Sequence, residues 1–166
     1  MNITKTIMIL GLSFLGTLAL AQAVNTKPEL RLETYRVVSE IVGGKTVESF
    51  TKADTVKPGD TVEYRVKAIN PTQTGLPNFV VDLPIPPSTV YLENTATNAA
   101  SVAILLASFD RKKSFATPPL KRKVVKDGKT VEEIVKANEY TDLRWIVRGE
   151  LKSGQTLEFK ARVKVK

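Results

Sequence analysis

The sequence predicts an all-β fold, an antiparallel sandwich of two sheets, on three observations. Residues 62–68 alternate strictly, with Val62, Tyr64, Val66 and Ala68 on one face and Glu63, Arg65 and Lys67 on the other. That period of two marks a strand buried on one side only. The strand opens on a Pro58-Gly59-Asp60 turn, and the same device returns late in the chain. Residues 151–160 match residues 56–65 position by position without a gap. Finally, glycine and proline turns punctuate short apolar segments throughout, and no segment has a well-defined helical face. Strands apolar on one side must cover a second sheet, so a sandwich is expected, with a closed barrel as the alternative.

The first stretch lies outside that fold. Lys5 gives a positive start, residues 7–20 are apolar apart from Gly11, Ser13, Gly16 and Thr17, and Ala21-Gln22-Ala23 follows. This is the pattern of a secretory signal peptide over residues 1–23, with the mature chain starting at Val24. The apolar run falls short of the ~20 residues of a transmembrane helix. No cysteine follows it, which excludes a lipid-modified cysteine.

Residues 24–54 are expected to add N-terminal strands to the sandwich. Leu30, Leu32 and Thr34 alternate with charged residues, and Tyr35, Val37 and Val38 break the alternation, the place for a bulge or a change of sheet. Gly43-Gly44 turns the chain into a second strand over residues 45–52, making a hairpin. The main domain, residues 55–166, begins with the turn at Pro58-Gly59, which is of type II because Gly59 accepts positive φ. Its first strand stops at Asn70-Pro71, since proline donates no ladder hydrogen bond. Asn70 is read as a loop cap, and residues 72–77 as loop. Residues 79–83 form a short strand, Pro84, Pro86 and Pro87 an extended crossover, and residues 89–93 the next strand.

Residues 95–110 are alanine-rich and ambiguous, but strand is favoured because every neighbour is β. Beyond Pro118-Pro119, residues 121–125 and 129–135 flank Asp127-Gly128, a hairpin with a type I′ turn. Residues 140–148 place Leu143, Trp145 and Val147 on one face, with Trp145 read as the core tryptophan rather than a sugar platform. After a turn over residues 149–154, residues 155–166 close the chain with Leu157, Phe159, Ala161, Val163 and Val165 inward.

The run from the turn at Pro58 to Asn70-Pro71-Thr72, the strand Val80-Val81-Asp82-Leu83-Pro84, and the closing Tyr140-Thr141-Asp142-Leu143-Arg144-Trp145 with its Ser153-Gly154 turn resemble a bacterial surface module. This is the conserved repeat domain, also called domain of unknown function eleven. The resemblance covers residues 55–166. It implies an immunoglobulin-like antiparallel β-sandwich and an exported or surface location, to which the residues themselves add a protruding β-hairpin over 121–135. It supplies no catalytic residues.

Composition narrows the chemistry. Histidine and cysteine are absent, which removes the usual ligands of zinc, copper and haem and any nucleophile paired with histidine. No cofactor is expected. The aspartates show no calcium-loop spacing and fall where turns want aspartate. Charge is the informative feature: 25 basic residues face 17 acidic ones, and loss of Lys5 with the signal leaves 24 against 17. Arg111, Lys112, Lys113, Lys121, Arg122, Lys123, Lys126 and Lys129 cluster as the candidate site for an anionic partner. Lys160, Arg162, Lys164 and Lys166 make a basic stripe on the last strand, read either as protection of a sheet edge or as part of that surface. Nucleic acid is not expected, because no aromatics interleave with the basic residues as stacking platforms.

The expected function is that of a non-catalytic cell-envelope protein in the periplasm or at the surface. It would dock, as a structural or adaptor subunit, to surface or outer-membrane proteins or to anionic envelope polymers. The alternative is a secreted binding module or inhibitor for a soluble ligand such as a carbohydrate.

Overall fold

The computed structural model describes residues 27–98 and 102–166. The signal peptide and the start at Val24 lie outside the described residues. The chain folds as an antiparallel β-sandwich. Its strands are β1 (Glu29–Val42), β2 (Lys45–Lys52), β3 (Thr61–Ile69), β4 (Leu76–Pro77), β5 (Val80–Pro84), β6 (Thr89–Tyr91), β7 (Thr97–Asn98) and β8 (Ala103–Ser108). Then come β9 (Lys121–Lys126), β10 (Lys129–Ile134), β11 (Asp142–Val147), β12 (Glu150–Leu151) and β13 (Thr156–Val165), with one 3-10 turn at Ala137–Glu139. The larger sheet runs β2-β1-β3-β13-β6, with β7 also on β13; the smaller runs β5-β11-β8.

The two strands of the internal repeat are neighbours, β3 against β13. Their opening turns share one chemistry. The amide of Asp60 donates to the carbonyl of Lys57 with Gly59 at φ 90°, and the amide of Gln155 to that of Lys152 with Gly154 at φ 68°. The side chains of Asp60 and Gln155 each accept the amide of the residue that starts their turn. Each turn then closes the far end of the other strand. Gly59 N–H donates to Val165 and Val165 N–H to Asp60; equivalently, Gly154 N–H donates to Asn70 and Asn70 N–H to Gln155. A local two-fold relates the halves of this pair.

The core lies between the sheets, where Val62, Val66, Leu157, Phe159, Ala161 and Val163 meet Val81, Leu83, Leu143, Trp145 and Val147. Trp145 is fully buried in the middle strand of the small sheet, and its ring lies 5.4 Å from that of Phe159. Of the ambiguous alanine-rich segment, Ala103–Ser108 forms strand β8, paired to β11, and residues 99–101 lie outside the described residues. Asn70 is wholly buried and caps its loop: its amide donates to the carbonyls of Thr74 and Leu151, and its oxygen accepts from Thr72.

Several expectations are corrected. No bulge interrupts β1; its register is continuous, and the strand passes from partner β3 to partner β2 around Tyr35–Val37. The segment expected as loop before β5, and the turn after β11, each contribute two residues to a small pair, β4 with β12. The strand after the proline crossover ends at Tyr91 rather than at residue 93. The last strand is not an edge: β13 lies between β3 and β6, because its alternation lets it serve as a central strand.

The outer face of the large sheet is not simply wetted either. Glu63, read as outward and solvated, is only 4% exposed. Arg162 reaches from β13 to both Glu63 and Glu48 of β2, and the Arg65 guanidinium stacks on Tyr35 and Phe50 at 4.4 and 4.7 Å. The β1–β2 hairpin thus brings Phe50 and Glu48 onto this face.

Candidate functional site

The eight predicted cationic residues fall into two groups. Lys121, Arg122, Lys123, Lys126 and Lys129 belong to the ribbon β9–β10, which pairs with no other strand among the described residues. Its tip is built as expected: Asp127 and Gly128 sit at φ 52° and 73°, the two positive values of a type I′ turn. The register decides the charges. It sets Arg122 opposite Glu133 and Lys123 opposite Glu132. Arg122 binds Glu133 at 3.0 Å and Glu139 at 2.6 Å, Lys121 binds Glu132 at 3.2 Å, and Lys126 binds Glu133 at 3.2 Å. These contacts hold the Glu133 carboxyl below the usual carboxylate range, the Arg122 hydrogen bond foremost. Among the described residues, Lys123 and Lys129 are the ribbon strand residues whose positive charge has no ion-pair partner.

Arg111, Lys112 and Lys113 sit elsewhere, on the loop after β8 at one pole of the sandwich. This loop takes a shape that the sequence does not announce. Arg111 and Lys112 are consecutive left-handed residues, at φ 56° and 66°, with no glycine or asparagine to ease them. Such a conformation costs on the order of 1–3 kcal/mol per residue and persists only where surroundings hold it. They do so here. Buried Ser108 accepts the amide of Lys112 at 3.0 Å, and Thr141 Oγ1 accepts that of Arg111 at 3.1 Å. Asp110 accepts from Ser108 Oγ at 2.7 Å and from the hydroxyl and amide of Ser114 at 2.6 and 3.0 Å. Those donors, led by the Ser114 hydroxyl, hold the Asp110 carboxyl at about 2.

The loop borders a cleft of about 470 Å³. One wall is the proline crossover, Pro84 to Pro87; the other is formed by Arg111, Lys112 and the chain from Asn138 to Asp142, with Lys166 also lining it. Lys112 Nζ lies 3.6 Å from Asp82 and 3.9 Å from Asp142, and so serves as counter-charge to a 4%-exposed carboxylate. The Lys166 amine donates to the Pro87 carbonyl at 2.7 Å. Arg111 has no acid partner among the described residues. Neither does Lys113.

The two groups meet at the 3-10 turn, where Glu139, the partner of Arg122, also lines the cleft. Of the basic stripe on β13, Lys160 pairs with Glu158 and Arg162 with Glu48 and Glu63, while Lys166 joins the cleft. Asn138 and the proline wall were missed as site residues; the prolines were legible only as a crossover. Trp145 is buried and offers no face to a sugar. Among the described residues, no group of three or more histidine, cysteine, aspartate or glutamate side chains is placed to hold a metal ion.

No family model matches this chain, and no curated protein or solved structure matches it.

Proposed function

We propose that this chain is an exported, non-catalytic β-sandwich of the cell envelope, an adaptor or structural subunit that docks anionic partners with one pole of the fold. The observation that carries the reading is a pair of cations on the cleft loop, Arg111 and Lys113, that have no acid partner among the described residues. They stand on a loop held in a costly conformation beside the cleft, and the ribbon whose base meets that cleft through Arg122 and Glu139 adds Lys123 and Lys129, one on each of its faces. A solubility device needs no such loop, because lysines scattered on any strand serve that end. The leader of residues 1–23 and the resemblance of residues 55–166 to the conserved repeat domain support export and an immunoglobulin-like module in the same proposal.

The register refines which cations matter. Arg122, Lys121 and Lys126 bind glutamates of the ribbon or its base, so reversing them would break the ribbon as well as its charge. The test therefore reverses Arg111, Lys113, Lys123 and Lys129 to glutamate and follows co-sedimentation with envelopes of the native host. Retention of the parent at about 0.1 M salt and its release near 1 M is expected, as the Debye length falls from about 10 to 3 Å. The reversed protein should stay soluble with unchanged circular dichroism. Pelleting of that variant, or retention of the parent that ignores salt, would refute the reading.

A further inference from the structure

We infer that the pole cleft between the proline crossover and the Arg111–Lys112 turn binds a carboxylate-bearing sugar residue, such as a uronic acid unit of an acidic glycan. This rests on the reading that the pole is the docking surface, and it names the ligand. Four features select the class.

The first is a free fork beside a neutralised cation. Lys112 serves Asp82 and Asp142, whereas the Arg111 guanidinium has no acid partner among the described residues, and its planar donors match a carboxylate. Lys166, with one ammonium proton given to Pro87, brings a second positive charge to the cleft, while the two carboxylates that line it, Glu139 and Asp142, are offset by Arg122 and Lys112.

The second feature disfavours phosphate. A phosphate nest is made of backbone N–H groups aimed at the anion. Here the amide of Arg111 is given to Thr141 and that of Lys112 to Ser108, so the two loop residues that line the cleft offer side-chain charge without their amides. The third disfavours an acidic peptide laid down as a strand. Pro84, Pro86 and Pro87 have no N–H, so this wall presents no ladder of donors for another backbone. It presents apolar pyrrolidine carbons, which suit the C–H face of a pyranose.

The fourth is neutral hydrogen bonding. Asn138 lines the same cleft, and its amide side chain has no hydrogen-bond partner among the described residues, leaving both donors and the acceptor for sugar hydroxyls. The cleft of about 470 Å³ lies in the range of small-molecule sites.

The experiment titrates the isolated chain with methyl β-glucuronide, following amide shifts by NMR and affinity by calorimetry. Methyl β-glucoside, glucose 6-phosphate and hexaglutamate serve as comparisons. Saturable binding of the glucuronide is expected, with shifts confined to residues around 84–89, 111–112, 138–142 and 166. The neutral glucoside should bind at least about tenfold more weakly, the loss of one charge-assisted contact. Arg111→Lys, which keeps the charge but loses the fork, and Asn138→Ala should each weaken the glucuronide while leaving circular dichroism unchanged.

Absence of saturable binding, equal binding of the glucoside, or tighter binding of glucose 6-phosphate or hexaglutamate would overturn the inference. So would full affinity in both variants. The docking reading fails separately. Salt-sensitive envelope retention lost on charge reversal, with no glucuronide binding, sinks only the sugar assignment; retention that survives reversal sinks the docking reading.

Discussion

Replacing Trp145 tests the core at its most consequential point. The indole is fully buried in β11, between Val81 and Leu105 in its own sheet and against Phe159 of the opposite one. Trp145→Ala removes the largest buried side chain in the chain's described core and leaves a cavity between the two sheets. The expected cost is about 3–5 kcal/mol, a large share of the ~5–15 kcal/mol by which a domain is stable. Trp145→Phe should behave differently, for a reason specific to this site. The Nε1 proton has no hydrogen-bond partner among the described residues, and an unpaired buried donor costs roughly 1–3 kcal/mol. Phenylalanine keeps an aromatic ring against Phe159 and removes that donor, so relief offsets part of the lost volume and the net cost should be about 0–2 kcal/mol. Urea unfolding followed by far-UV circular dichroism reads both variants. With a slope of about 2 kcal/mol/M, the alanine variant should lose about 2 M in midpoint and the phenylalanine variant under about 1 M. A loss below about 1 kcal/mol for alanine would show that the sheets are not joined through this ring. A loss above about 2 kcal/mol for phenylalanine would show that relief of the unpaired donor does not offset the lost volume.

Two further predictions concern the loops. Asn70→Ala deletes a buried side chain that donates to two carbonyls and accepts from Thr72. With the Thr74 and Leu151 carbonyls left without it, about 2–4 kcal/mol of stability should go, and calorimetric melting that moves by less than 1 kcal/mol would refute the cap. The Asp110 carboxyl is held at about 2 against an ordinary 3.8, so its contribution to the 108–114 loop is complete above the ordinary value and is lost as pH falls through about 2. The Ser114 amide shift should therefore titrate with a midpoint near 2; a midpoint near 4 would show that the hydroxyl and amide donors do not favour the carboxylate.

Much of the architecture was legible because strand periodicity and turn chemistry are local. Alternation in residues 62–68, the repeated glycine turns, the Asp127-Gly128 tip and the apolar face of Leu143, Trp145 and Val147 each specify a conformation or a buried side from neighbouring residues alone. Alternation says which face of a strand is buried and nothing about which strand lies beside it. That is why the lysine-bearing β13 looked like an edge and proved central. The matching turns could be read from sequence, yet their closing of each other's strands required β3 and β13 to pair about a local two-fold.

The candidate site was half legible for the same reason. Sequence counts cations, but neutralisation depends on distances across strands, so Arg122 opposite Glu133 is a fact of register. Nothing local marks Arg111 and Lys112 as left-handed, since no glycine or asparagine occupies either position. The conformation comes from Ser108 and Thr141, the latter 30 residues from Arg111 in the chain. By itself the sequence determined the period-two strands, the turn types and the surplus of positive charge, all set by covalent neighbours. The tertiary structure decided which strands adjoin, which charges remain free and where they gather, because those depend on groups that only folding brings within reach.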